Sequence, residues 1–274
     1  MKPFLIIICW LFSLSLSAQN FYFNLQRGDG FATEAGQVNY IASTDEGRAE
    51  ELVTDGFGEG TYFRTSLGYN FNSFVSLDFG VNYLRGKTIT YEYIYTFISI
   101  GDTYKKTTSE NINTFIFTPQ LRFNIPTRFR IQPYIQIGGA IGVLPQKSFH
   151  QIFHIIDDNS FQRIRSETEK KLDGGIPLGF TAALGAKYSI SKTFSLIVDL
   201  ELLNMSYQPR HSVTTKYIRD DVNELEDMTV KEREVIYKKE IKSRSSDDNE
   251  PRIALPINFP MSNVSLNIGF QFDF

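Results

Sequence analysis

The chain has 274 residues, 42% of them hydrophobic and 14% aromatic, with 24 Phe, 14 Tyr and a formal net charge of −3. That length suits one large all-β domain, and so slight a charge gives no ground for a nucleic-acid partner or an anionic surface. The single cysteine, Cys9, lies in the N-terminal segment, so the mature chain is expected to hold no disulfide, thiolate nucleophile or cysteine-bound metal.

The first eighteen residues read as a targeting segment. Lys2 supplies a positive start, Phe4 to Leu16 an apolar run, and Ser15-Leu16-Ser17-Ala18-Gln19 the small residues of a cleavage site. The predicted signal peptide is residues 1–18, and the remaining domain is 19–274. The run is too short to span a membrane as a helix, and Cys9 sits mid-run rather than at the cut, where a lipidated cysteine belongs. No apolar run of spanning length occurs after residue 18, so inner-membrane helices are not expected.

Beyond the signal segment, eight stretches repeat with period two, the period of a strand rather than a helix. The first is short: Phe21, Phe23 and Leu25 alternate with Tyr22, Asn24 and Gln26 before Gly28-Asp29-Gly30 disturbs the pattern. From Thr61 to Phe71 the odd positions include Phe63, Leu67 and Tyr69, with Arg64, Ser66 and Gly68 between them. After Asn72-Ser73 come Val75, Leu77, Phe79, Val81 and Tyr83, interleaved with Ser76, Asp78, Gly80 and Asn82. Phe115, Phe117, Leu121, Phe123 and Ile125 alternate with Thr114, Thr118, Gln120, Arg122 and Asn124, although Ile116 intrudes on the wet face. Ile131 to Val143 continues the rule. Ile176 to Ile190 does so with Lys187 on its wet side, and Phe194 to Leu202 with Asp199 and Glu201 on its own. The last stretch places Val264, Leu266, Ile268, Phe270, Phe272 and Phe274 on one face and Ser265, Asn267, Gly269, Gln271 and Asp273 on the other.

Connections alternate strictly between short and long. Asn72-Ser73, Pro126-Thr127-Arg128 and Ser191-Lys192-Thr193 are hairpin turns, whereas residues 32–58, 86–111, 145–174 and 214–254 are read as long loops. Strands that are oily on one side, with short turns at one rim and long loops at the other, predict an eight-stranded antiparallel up-and-down transmembrane β-barrel. In bacterial barrels of this kind the turns are periplasmic, the loops are extracellular, and the address is the Gram-negative outer membrane. Pro119 and Pro133 remove ladder donors inside strands; equidistant from Pro126, they are expected to face each other at one irregular spot.

The chain resembles the small outer-membrane β-barrel family of OmpA-type and porin-like eight-stranded domains. The likeness is carried by the signal segment, by Gly68-Tyr69-Asn70-Phe71-Asn72, by Gln132-Pro133-Tyr134 through Gly138-Gly139, and by Phe270-x-Phe272-x-Phe274. The resemblance implies that Phe270, Phe272 and Phe274 form the signal read by the outer-membrane assembly machinery, and that outer-membrane lipid surrounds the domain. It specifies no activity, and with nothing after Phe274 no cell-wall tether is expected.

Arg64, Asp78, Arg122, Lys187, Asp199 and Glu201 are all expected to point into the lumen. An eight-stranded barrel is only wide enough for side chains to fill, so three cations and three carboxylates should pair across it and plug it. A charge-lined conducting path, a narrow porin or small-solute transporter, is the alternative. His150 and His154, with Asp157 and Asp158 close after them, are a weak metal candidate, since two imidazoles without a defined third ligand do not make a site. His211-Ser212 invites comparison with a rim-sited lipid hydrolase, but neighbours on a strand point to opposite faces and a Ser–His pair must converge. Residues 214–250 hold eight Lys/Arg and eleven Asp/Glu. This segment is expected to be a solvated loop, with a short surface helix near Val222–Glu226 or Val230–Ile241, or strand extension at Glu234-Val235-Ile236-Tyr237, as alternatives. No enzyme, cofactor or metal is expected; a protein or glycan outside the cell is the partner the loops would contact.

Overall fold

A computed structural model describes residues 20–33, 36–44, 47–97, 102–156, 163–241 and 247–274. The predicted signal segment with Cys9, and Asp157 and Asp158, lie outside the described residues. In chain order the strands are β1 (Phe21–Ala32), β2 (Gly36–Thr44), β3 (Gly47–Asp55), β4 (Gly60–Asn70), β5 (Val75–Gly86), β6 (Ile89–Phe97), β7 (Asp102–Asn124) and β8 (Ile131–Ile156). They continue with β9 (Arg163–Asp173), β10 (Leu178–Ser189), β11 (Phe194–Tyr207), β12 (His211–Arg219) and β13 (Val222–Asn223). A single helical turn, α1 (Val230–Arg233), precedes β14 (Glu234–Tyr237), β15 (Arg252–Ala254), β16 (Phe259–Pro260) and β17 (Asn263–Asp273).

Eight of these strands close a barrel in the order β1, β4, β5, β7, β8, β10, β11, β17, with β17 returning to β1. Every barrel pairing is antiparallel, and the β1–β17 seam runs from Tyr22↔Asp273 to Ala32↔Asn263. Beside it Phe274 N donates to Phe21 O at 3.0 Å and Asp273 N to Thr193 O at 3.0 Å. β4 and β17 each have eleven residues, the length a tilted strand needs to cross a bilayer's hydrocarbon.

The faces obey the sequence period. Leu67, Phe79, Leu184, Leu200, Leu266 and Ile268 stand exposed on the outside, while Asn24, Arg64, Asp78, Gln120, Asp199 and Asn267 are buried inside. Short turns gather at one end. There Asn72 Oδ1 accepts from the Phe74 and Val75 backbone amides at 2.8 and 2.9 Å and fixes the β4–β5 reversal.

The other end corrects the reading of long loops. Much of 32–58, 86–111, 145–174 and 214–254 is strand. β7 and β8 run 23 and 26 residues and stay paired from Asn124↔Tyr134 up to Thr103↔Ile156. The upper half of β7 pairs with β6, and the upper half of β8 with β9, beyond which lie β12, β14 and β15. The result is an upper sheet standing on one wall of the barrel; β2 and β3 form a separate hairpin. Leu144, at φ 51°, bulges β8 where the register against β7 shifts. Inward positions on β8 are therefore even up to Gly142 and odd from Lys147.

The prolines do not meet. Pro119 lies beside Phe79 and Pro133 beside Ala186, and the β7–β8 ladder keeps its register from Phe117↔Ile141 to Gln120↔Gly138 across Pro119.

Candidate functional site: a filled lumen under an upper sheet

The lumen is organised in layers. At mid-height Arg64, drawn inward by the pleat of β4, donates to Asp78 Oδ1 at 3.2 Å and to Glu201 Oε2 at 3.3 Å, and also bonds Gln120 Oε1. Ser66 and Asn24 donate to Asp78 Oδ2 at 3.0 and 3.3 Å. Glu201 Oε1 accepts from Thr181 at 2.5 Å and from Gln120 at 3.3 Å. Asp199 accepts from Gln26 at 2.6 Å, Asn267 at 2.8 Å and the Tyr134 hydroxyl at 3.0 Å. Neutral amide and hydroxyl donors thus solvate the carboxylates where water would otherwise be required.

Toward the turn end, Arg122 departs from the expected pairing. Among the described residues it has no carboxylate ion pair; its guanidinium carbon lies 3.6 Å from the Tyr134 ring centroid and 5.4 Å from that of Tyr22, and Nη1 donates to Gln271 at 2.9 Å. Gly68 and Gly185 make room for those rings: a Cβ on either would fall 2.0 Å from Tyr22 and 2.4 Å from Tyr134. Lys187 is not among the mid-lumen charges. It sits near the turn-end rim, 3.7 Å from Asp273 Oδ2. The structure therefore brings five of the six predicted charges into the barrel, two guanidiniums against three carboxylates, with Lys187 balanced at its mouth.

Above the network the interior turns apolar. Leu84, Ile112, Ile116, Ala140, Leu203, Met205, Tyr207 and Met261 are buried together with Phe57. Phe57 is brought in by the segment after β3, whose amide bonds Pro260 O at 3.2 Å. Ile116, an anomaly in the sequence pattern, belongs to this layer. Lys147 crowns it, bonded to Glu110, which also accepts from the Tyr91 hydroxyl at 3.0 Å. The Lys147 ammonium lies 4.2 Å from the Phe259 ring centroid and 5.0 Å from that of Phe57. Burial pushes its pKa below the ordinary lysine value, against the pull of Glu110. Sequence reading missed Lys147, Glu110 and Phe57 because they lie in segments read as loop; only the alternation of Glu110, Ile112 and Thr114 hinted at an inward row.

The remaining candidates lie on the upper sheet. His150 and His154 share a strand face but stand four residues apart, about 13 Å, and cannot hold one ion. His150 Nε2 instead meets Glu167 Oε1 at 3.0 Å, and Glu169 lies in the same cluster. Lys216 occupies that cluster, 2.8 Å from Glu167 Oε1 and 3.5 Å from Glu169 Oε1. Its hydrogen bonds hold the Glu167 carboxyl below the ordinary glutamate range. His211 has carboxylates on both sides, Asp173 at 3.6 Å and Glu234 at 3.8 Å, yet Ser212 is buried on the opposite face. His211 and Ser212 therefore do not form a Ser–His pair. In the charged segment, Glu234–Tyr237 is strand, and Val230–Arg233 is a helical turn closed by a Thr229–Glu232 capping box.

Phe270, Phe272 and Phe274 are exposed on the oily face of the closing strand. A pocket of about 400 Å³ opens beside Gly175, Arg210, Tyr237 and Pro256, and another of about 300 Å³ at the turn end beside Arg122, Lys187 and Gln271.

Three solved structures are similar to this chain over most of its length. OprG from Pseudomonas aeruginosa is 10% identical, with 94% of this chain and 96% of that one covered at a TM-score of 0.46. Neisserial surface protein A is 10% identical, covering 93% and 97% at 0.35. CarO2 of Acinetobacter baumannii is 12% identical, covering 92% and 99% at 0.33. No curated protein matches the sequence. The family model for the outer membrane protein beta-barrel domain matches residues 7–229. With most of its length matched and eight antiparallel strands closed into a barrel, the chain belongs to the outer membrane beta-barrel domain family.

Proposed function

We propose that the protein is a non-enzymatic Gram-negative outer-membrane barrel that does not conduct, and that its working part is the upper sheet, held outside the cell to contact a partner. One observation carries the reading: the lumen is filled twice over, by the Arg64–Asp78–Glu201 network and by the apolar layer around Ile116 and Met261. A pore needs a continuous wet path, and two stacked blocks of opposite polarity oppose it. Export would remove residues 1–18, and the assembly machinery would read Phe270, Phe272 and Phe274 on the closing strand.

A narrow porin is the second reading, favoured by the lumen's three carboxylates against two guanidiniums. Conductance of the refolded protein in planar bilayers separates the two. A flat trace across ±100 mV supports the plugged barrel, and discrete openings overturn it.

A further inference from the structure

The two faces of the upper sheet carry their charges differently. On the outer face Lys216 is bonded to Glu167 and Glu169, His150 to Glu167, and Lys105 to Glu92 at 3.1 Å. On the inner face, continuous with the lumen wall, Glu110 is already taken by Lys147. Three further cations share that face with no carboxylate partner among the described residues.

Cross-strand register places them, because paired residues point the same way. Lys106 on β7 stands opposite Phe153 on β8, and Lys170 on β9 stands opposite Phe149. Phe149 and Phe153 lie four apart on β8, so the two lysines flank one aromatic stripe from either side, with the Lys170 ammonium 5.8 Å from the Phe149 ring centroid. The row Lys147, Leu172, Ser212, Val235 carries the same face across the sheet to Arg252. Lys170 is pushed below the ordinary lysine value by burial, then by the neighbouring charges of Arg252 and Lys106. A partly buried ammonium beside two like charges is unfavourable unless an anion supplies the missing counter-charge.

We propose that this inner face binds an anionic saccharide of at least two rings, whose sulfate, phosphate or carboxylate groups pair with Lys106, Lys170 and Arg252 while successive sugar rings lie on Phe149 and on Phe153. Charge-assisted hydrogen bonds would supply the affinity, and the two donor-free aromatic rings, flat and apolar, suit the C–H side of a sugar better than a peptide backbone. The inference rests on the upper sheet being the working part of the molecule.

Titration calorimetry on the detergent-refolded full chain tests it, with sucrose octasulfate, sucrose, an octaglutamate peptide and inorganic sulfate as probes. The heat-shifted gel band confirms that each variant is folded. Sucrose octasulfate should bind best, and Lys106→Ala, Lys170→Ala and Arg252→Ala should each weaken it about tenfold. Lys192→Ala, in a turn at the far end, should leave binding unchanged. The proposal is overturned if sucrose octasulfate does not bind, if the three variants bind as the parent does, or if octaglutamate or free sulfate binds as tightly. Those failures differ from failure of the underlying reading, which shows itself as channel openings.

Discussion

Arg64 spans the barrel between Asp78 and Glu201 with all three side chains out of water. Replacing it by Met leaves two carboxylates buried without their cation, an error that costs about 3–5 kcal/mol in comparable buried pairs. Urea unfolding of the refolded Arg64→Met variant should show a loss of that size, and adding Asp78→Asn should recover part of it. Arg64 was legible from the parity of β4 alone. Arg122 was legible as inward but not in its partners, because stacking between Tyr22 and Tyr134 depends on two glycines, Gly68 and Gly185, whose role appears only once strands are registered. Gly185→Ala should therefore lower refolding yield, since its Cβ meets the Tyr134 ring, and trimming that ring with Tyr134→Ala should restore it.

Among elements, the barrel strands were readable and the upper strands were not, for one physical reason. A lipid-facing strand must be apolar on one side, so its period-two signal is strong. Between residues 103 and 111, β7 has polar side chains on both faces, because both faces lie outside hydrocarbon; Thr107, Ser109 and Asn111 alternate with Lys106, Thr108 and Glu110. Nothing in such a stretch distinguishes strand from loop except that it runs straight into the lipid-facing half of β7. The same polarity makes pairing in this region depend on charges. Lys216 keeps the Glu167 carboxyl below its ordinary value. Because that folded-state value lies below the unfolded one, the contact contributes stability above the unfolded value, about 4.3, and loses it as pH falls through the folded one. Hydrogen-exchange protection factors across β9 and β12 should accordingly drop on acidification into that range, while those of β4 and β5 hold. Lys216→Ala should weaken this pH dependence, leaving the smaller part that His150 maintains.

For the whole molecule, closure depends on β17, which joins the first strand to the seventh wall strand through Phe272↔Phe23 and Phe194↔Phe272. If its exposed aromatics are what the assembly machinery reads, Phe274→Ala should reduce the amount recovered in the outer membrane several-fold without changing the heat shift of the protein that does insert. Unchanged recovery would place recognition elsewhere on the strand.

The long β7–β8 hairpin has a mechanical consequence. Its turn lies at the far end of the barrel from the upper sheet, and its flanks are zipped to β5 from Val75↔Phe123 to Arg85↔Asn113 and to β10 from Tyr188↔Ile131 to Leu178↔Ile141. Tension applied to the upper sheet runs along the strand axes, loading both ladders in parallel rather than peeling them rung by rung. Such a sheet resists being pulled from the barrel far better than one joined to it by slack connecting chain, as pulling experiments by force microscopy would register in a single high rupture peak.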